Sequence, residues 1–135
     1  MRCTVLAVGR LRPPYHDDVA HYRQLLSRHC KLDLVDVRED AKVDARVPER
    51  SYVVALAADG HEYDSVAFSR WLEERRRSGR DLCFVVGGPY GLDLEACDEK
   101  LSLGRMTLPH QLARVVLLEQ LFRAHKILAN EPYHH

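Results

Sequence analysis

Three segments place chemistry-bearing groups where regular structure does not account for them. The first is Gly87-Gly88-Pro89-Tyr90-Gly91, directly after the apolar run 82–86. Glycines at such a junction let the backbone turn sharply and approach a flat ligand, leaving N–H and C=O groups to bind it. The same pattern also suits a tight strand-to-helix turn. It is neither G-x-G-x-x-G nor G-x-x-x-x-G-K-[ST], which disfavours ordinary nicotinamide binding and nucleoside-triphosphate hydrolysis. The second segment is LSLGRMTLPH, residues 101–110, interrupted by Gly104 and stopped by Pro109. Buried irregular backbone must find hydrogen-bond partners; the edge of an adenine supplies some, and a core-lining loop without ligand is the alternative. The third is the terminus NEPYHH, where Tyr133 offers an aromatic face. His134 and His135 offer imidazoles that exchange protons near neutral pH. A frayed tail is the competing reading there.

These segments need elements to position them. Residues 4–8 read as a first strand, followed by Gly9 and the turn residues Pro13 and Pro14. Val19, Tyr22, Leu25, Leu26 and His29 recur at helical spacing, with Arg23 and Arg28 on the wet face. Residues 32–37 alternate like an edge strand, and 39–50, charged and containing Pro48, form a loop or a short, poor helix. The run YVVALA at 52–57 has the character of a strand covered on both faces. A helix follows, with Ser65 as N-cap, Phe68, Trp71, Leu72 and Arg75 on one side, and Gly79 as its stop. Residues 82–86 are a second buried strand. A short helix is expected over 93–101, a brief strand over 106–108, and a long helix over 111–128, with His110 able to cap it. The polar positions Glu119, Arg123 and Lys126 occupy one narrow face of that helix, so it is wrapped nearly all round, which in so small a protein predicts a partner subunit. Strand, helix, strand order yields an α/β domain on a mainly parallel sheet. In that class ligands bind beyond the carboxyl ends of the strands, where the glycines after Val86 fall.

Composition limits the partners. The chain has 135 residues, 46% hydrophobic and 30% charged, which is one domain over 1–135 with a real core. It has no apolar run of membrane-helix length and no signal-peptide pattern, so a soluble, cytoplasmic protein without membrane partners is expected. Twenty basic groups balance twenty acidic ones, against a protein that holds nucleic acid by charge alone. The two ends are nevertheless basic and the middle is acidic. Arg75, Arg76, Arg77 and Arg80 read mainly as a solvated helix end, and Trp71 as core. Cys3, Cys30, Cys83 and Cys97 show no C-x-x-C spacing and read as buried, reduced thiols, and the scattered histidines form no metal-ligand pattern.

Taken together, GGPYGL (87–92), LSLGRMTLPHQLARVVLLEQLFRAHKI (101–127) and EPYHH (131–135) resemble the RlmH family. The likeness runs from about Tyr52 to the terminus, and extends more loosely to the start through LAVGRLR and the helix with Tyr22. These are ribosomal RNA large subunit methyltransferases that modify N3 of a pseudouridine in 23S rRNA. The resemblance implies a SPOUT-type α/β fold, with a mainly parallel sheet flanked by helices and a C-terminal trefoil knot, acting as a homodimer. It implies S-adenosyl-L-methionine as methyl donor, without a metal, and 23S rRNA of the assembled ribosome as partner. By the family pattern, Leu56, Gly87, Gly88, Leu103, Gly104, Arg105, Met106, Thr107 and Leu108 form the donor pocket. Tyr133, His134 and Arg105 are the expected catalytic groups: His134 takes or relays the N3 proton, Tyr133 orients the base, and Arg105 steadies charge developing on the uracil oxygens.

The chain departs from that pattern in three places. Gly104 stands where the family usually has a second Ser, which removes a hydroxyl from the loop. The terminus reads YHH instead of YHR or YHK and lacks a permanent cation. The segment 31–64 is shorter than the family pattern. A SPOUT methyltransferase with another RNA target, and a non-catalytic ribosome-binding module, are the alternative functions. Pairing two chains would bring together basic ends that include Arg105, Arg114 and Arg123.

Overall fold

The computed structural model describes residues 1–38, 42–88, 94 and 96–133. In chain order it contains β1 (Arg2–Val8), α1 (His16–Leu26), β2 (Lys31–Val37), a one-turn 3-10 helix (Val43–Arg46), β3 (Tyr52–Glu62), α2 (Ser65–Ser78), β4 (Leu82–Val86), β5 (Glu99–Ser102) and α3 (His110–Leu128). The five strands form one sheet in the order β2-β1-β4-β3-β5, and every pairing is parallel. This is the expected α/β architecture. The expected knot depends on the path between β4 and β5, of which residues 89–93 and 95 lie outside the described residues.

Strand position explains strand composition. Central β4 is buried along its whole length, so LCFVV needs no polar position. Leu82, Phe84 and Val86 join the helical side of the core with Leu26, Phe68, Trp71, Leu72, Leu117 and Leu121. Cys83 and Val85 face the other way, against Leu6, Val37 and Val43 of the 3-10 turn. Edge strand β2 alternates between exposed and covered positions, as its sequence does. In β3 only Val54 and Ala55 are buried, so the expected cover on both faces is incomplete. That strand also continues past the apolar run to Glu62, because β5 supplies a second hydrogen-bonding edge.

The helices obey local rules with small shifts. Asp64, not Ser65, caps α2 by accepting from the Ala67 N–H at 2.7 Å, and Ser65 instead donates to Gln120 Oε1 at 2.7 Å. Gly79 ends the helix at φ 79°, where a side chain would be strained. Helix α1 stops at Leu26, so Arg28 and His29 belong to the following turn. Pro109 is the N-cap of α3, with His110 its first residue. Trp71 is core, as read, and its indole N–H donates to Glu99 at 3.0 Å. Cys3 and Cys83 are buried thiols, whereas Cys30 and Cys97 are only partly covered.

Two expectations between β4 and α3 are overturned. No helix covers 99–101, since Glu99–Ser102 is β5, paired with β3. Glu99 secures it by accepting from Tyr52 at 3.0 Å, Tyr63 at 2.8 Å and Trp71, donors a local helix could not reach. Residues 106–108 form no strand, because Gly104 turns the chain at φ 137° and the Ser102 hydroxyl bonds both the carbonyl and the N–H of Gly104.

Helix α3 is fastened to the carboxyl ends of β1 and β2 by Arg114. This side chain, expected near a basic surface, is buried. Its Nη1 donates to Asp36 Oδ1 at 2.9 Å, and its Nη2 to the carbonyls of Gly9 at 2.6 Å and Val8 at 3.2 Å. Gln111, one turn earlier, donates to the Arg10 carbonyl and accepts from the Arg12 N–H. Arg114→Met is expected to destabilise the fold by about 3 kcal/mol, since it strands two carbonyls. Urea denaturation should show a lower midpoint with an unchanged slope.

His125 on α3 is buried and stacks on His29 at 5.2 Å. Burial, then the neighbouring His29, Arg76 and the amino terminus, push its pKa down to about 4. The unfolded chain therefore takes up this proton at a higher pH than the folded one does. Stability is full above the ordinary histidine value and declines as pH falls from about 6.5 towards 4, by about 3 kcal/mol in all. Urea midpoints across that range should fall for the native chain and be flatter for His125→Gln.

Candidate active site

A cavity of about 610 Å³ opens at the carboxyl edge of the sheet. One wall is the middle of β3, from Ala55 to Ala58, a second is Val86, Gly87 and Gly88 at the end of β4, and a third is the irregular loop 103–108. The first turn of α3, through His110 and Ala113, closes it. Leu56, Gly87, Gly88, Leu103, Gly104, Arg105, Met106, Thr107 and Leu108 all line this one space. Its volume lies within the roughly 300–1,000 Å³ of small-molecule sites, and it stands where open α/β sheets bind ligands. Another cavity, of about 580 Å³, lies at the opposite, amino-terminal edge between Arg2, Lys31 and Asp81, away from all of these residues.

The glycines are set by space and backbone angle. A Cβ on Gly88 would come within 3.1 Å of Val8 Cγ1, so the junction presses against β1. Gly104 at φ 137° has open space around it, so its requirement is conformational and not steric. Leu56 and Leu101 pair across β3 and β5 behind the loop. Met106 is 85% exposed at the rim. Arg105, beside it, is also exposed.

Residues that the sequence pattern did not single out also line the cavity: Ala57, Ala58, Leu94, Cys97, Lys100, His110 and Ala113. The smallness of Ala57 and Ala58 was visible. What was hidden was the extension of β3 beyond them and the pairing of β5 that carries Lys100 to the mouth.

The terminal residues behave differently. Tyr133 is docked, not frayed: its hydroxyl donates to Glu119 Oε2 at 2.8 Å, and its ring meets Phe122 edge-on at 4.9 Å. Arg123 donates to the same Glu119 oxygen at 2.8 Å and lies over the Tyr133 ring. Burial, reinforced by the bond to Glu119, raises the phenol pKa well above its usual value, so Tyr133 keeps its proton at neutral pH. His134 and His135 lie outside the described residues. Tyr133 is not brought to the cavity of its own chain. Glu119 follows Ala113 by six residues, about 9 Å along the helix axis and about 240° around it.

Arg114 and Arg123, expected to contribute to a basic surface, are committed to Asp36 and Glu119. Among the described residues no helix is long and apolar enough to cross a membrane, and no three His, Cys, Asp or Glu side chains gather as a metal site would.

Comparison with known proteins agrees with this geometry. The family model described as a predicted SPOUT methyltransferase matches residues 1–134. A protein from Anaeromyxobacter sp. (strain Fw109-5) is 41% identical over 152 positions, one from Gemmatimonas aurantiaca 39% over 153, and one from Listeria monocytogenes 35% over 158. Each comparison covers 99% of both chains, and each relative is named ribosomal RNA large subunit methyltransferase H. The alignments are longer than the 135 residues of this chain, so these relatives carry segments without a counterpart here. Nearly complete coverage at such identity shows that the chain belongs to the SPOUT methyltransferases and, within them, to the RlmH family.

Proposed function

We propose that this chain methylates N3 of a pseudouridine in 23S rRNA of the assembled ribosome, with S-adenosyl-L-methionine as methyl donor. The carrying observation is that all nine residues expected to hold the donor converge on one cavity at the carboxyl edge of the sheet. The cavity suits that donor: the irregular backbone at Gly87, Gly88 and 103–108 offers polar groups to a flat adenine edge, and Leu56, Leu103 and Leu108 supply apolar walls. When bound, the donor contributes an electrophilic methyl group on a sulfonium.

The protein must align the acceptor and free a lone pair on N3. Tyr133, protonated and fixed by Glu119, orients the base. Arg105 at the rim offers positive charge to the uracil oxygens as N3 loses its proton. His134, next in the chain, accepts that proton.

The placement of Tyr133 supports a homodimer in which the tail serves the partner's cavity. The outward face of α3 supports it as well, since Leu112, Val116 and Ile127 remain only half-buried. The same reading keeps the C-terminal trefoil knot and a cytoplasmic location alongside the ribosome.

Calorimetry should detect S-adenosyl-L-methionine binding, and Gly88→Val, whose side chain would strike Val8, should abolish it. His134→Ala should lower turnover by about 100-fold while leaving donor affinity within about twofold; unchanged turnover would remove the proton-accepting role. Mass mapping of 23S rRNA from a deletion strain should show loss of one N3-methyl group, and its retention would point to another RNA target.

For the dimer, sedimentation should give twice the chain mass for the native protein and the single-chain mass for Val116→Asp. A native monomer would remove the dimer from this reading.

A further inference from the structure

Between Leu56 and His61, β3 slips its register with β5, since both residues pair with Leu101. Residues 57–60 are the surplus. They are held close to β5, for a Cβ on Gly60 would lie 2.7 Å from backbone atoms of Lys100 and Leu101. This close approach sets Asp59 beside Lys100, with Oδ2 3.3 Å from Nζ. Lys100 lines the cavity, as do Ala57 and Ala58 of the same irregular stretch. Lys100 therefore lines the candidate donor pocket while paired to Asp59, which lies just outside the lining, in an arrangement built by a strand irregularity that ordinary pairing does not need.

Both side chains are more than half exposed, 54% for Lys100 and 74% for Asp59. A pair so placed adds little to folding and opens cheaply towards other partners. Among the described residues that line the cavity there is no carboxylate, and Lys100 and Arg105 are the Lys and Arg side chains there. Lys100 sits on the paired strand β5 and Arg105 on the irregular loop, so the two cations serve separate parts of the opening.

The donor of the proposed reaction has a flat apolar end and a zwitterionic end, an α-carboxylate beside an α-ammonium. Glycines and leucines match the first. The second requires a cation and an anion side by side. We infer that Lys100 and Asp59 receive the aminoacyl end of the methyl donor, Lys100 binding its carboxylate and Asp59 its ammonium. The inference rests on the donor reading of the cavity and extends it to the groups that hold the end away from the adenine.

Calorimetry with two ligands tests it. S-adenosyl-L-methionine carries the aminoacyl chain, whereas 5′-methylthioadenosine keeps the adenosine and sulfur and lacks it. Lys100→Gln should weaken S-adenosyl-L-methionine about five- to tenfold and leave 5′-methylthioadenosine within about twofold. Asp59→Asn should do the same to a smaller degree. Equal weakening of both ligands, or none, overturns the assignment. A native protein that binds neither ligand overturns the donor reading and this inference with it. Native binding that Lys100→Gln leaves unchanged overturns only the role of the pair.

Discussion

The burial of one guanidinium organises the functional end of this molecule. Arg114 reaches from α3 across the carboxyl ends of β1 and β2 to two backbone carbonyls and one carboxylate. Desolvation lowers its pKa while Asp36 opposes that, so the charge is tolerated only because those acceptors are in place. Asp36 also accepts from the Leu11 N–H at 3.0 Å, which draws the β1-to-α1 loop into the same arrangement. With the first turns of α3 fixed, the irregular loop 103–108 is anchored at its far end. At its near end it is held by β5, whose Glu99 collects three donors, from Tyr52 of β3, Tyr63 just after it and Trp71 of α2. A loop without ladder bonds of its own is thereby suspended between two rigid supports, as a preorganised ligand wall requires.

The charge balance takes on a different meaning once its members are placed. Arg114, Arg123 and Arg80 are engaged with Asp36, Glu119 and the carbonyls of Arg50 and Ser51. Arg75 lies over the Tyr52 ring at 4.4 Å. These four of the twenty basic side chains thus serve the fold, and Arg105 and Lys100 are the Lys and Arg side chains among the described residues lining the cavity. A chain with no net charge lacks the uniformly basic surface that grips naked RNA by charge alone.

The two faces of the sheet are covered unequally. Three helices cover one face, but among the described residues the other is met by the 3-10 turn and Leu94. Val8, Val35 and Val53 there are only half-buried.

What local sequence determines, it determines for local reasons. LCFVV is a buried strand because five apolar residues admit no wet face, and 110–128 is a helix because Leu117, Leu118, Leu121 and Phe122 recur at helical spacing. The glycines at 87, 88 and 104 mark where the chain must turn, and three ordered motifs sufficed for the family. What tertiary structure alone decides involves partners distant in the chain. Residues 99–102 join the sheet because β3 offers an edge, and their own periodicity suited a helix equally well. Arg114 resembles any surface arginine until the ends of β1 and β2 surround it. Tyr133 has the composition of a frayed tail until Glu119, 14 positions earlier, fixes its hydroxyl. In each case the deciding term is a hydrogen-bonding group that must be satisfied once burial removes water, and which group does so depends on the assembled fold.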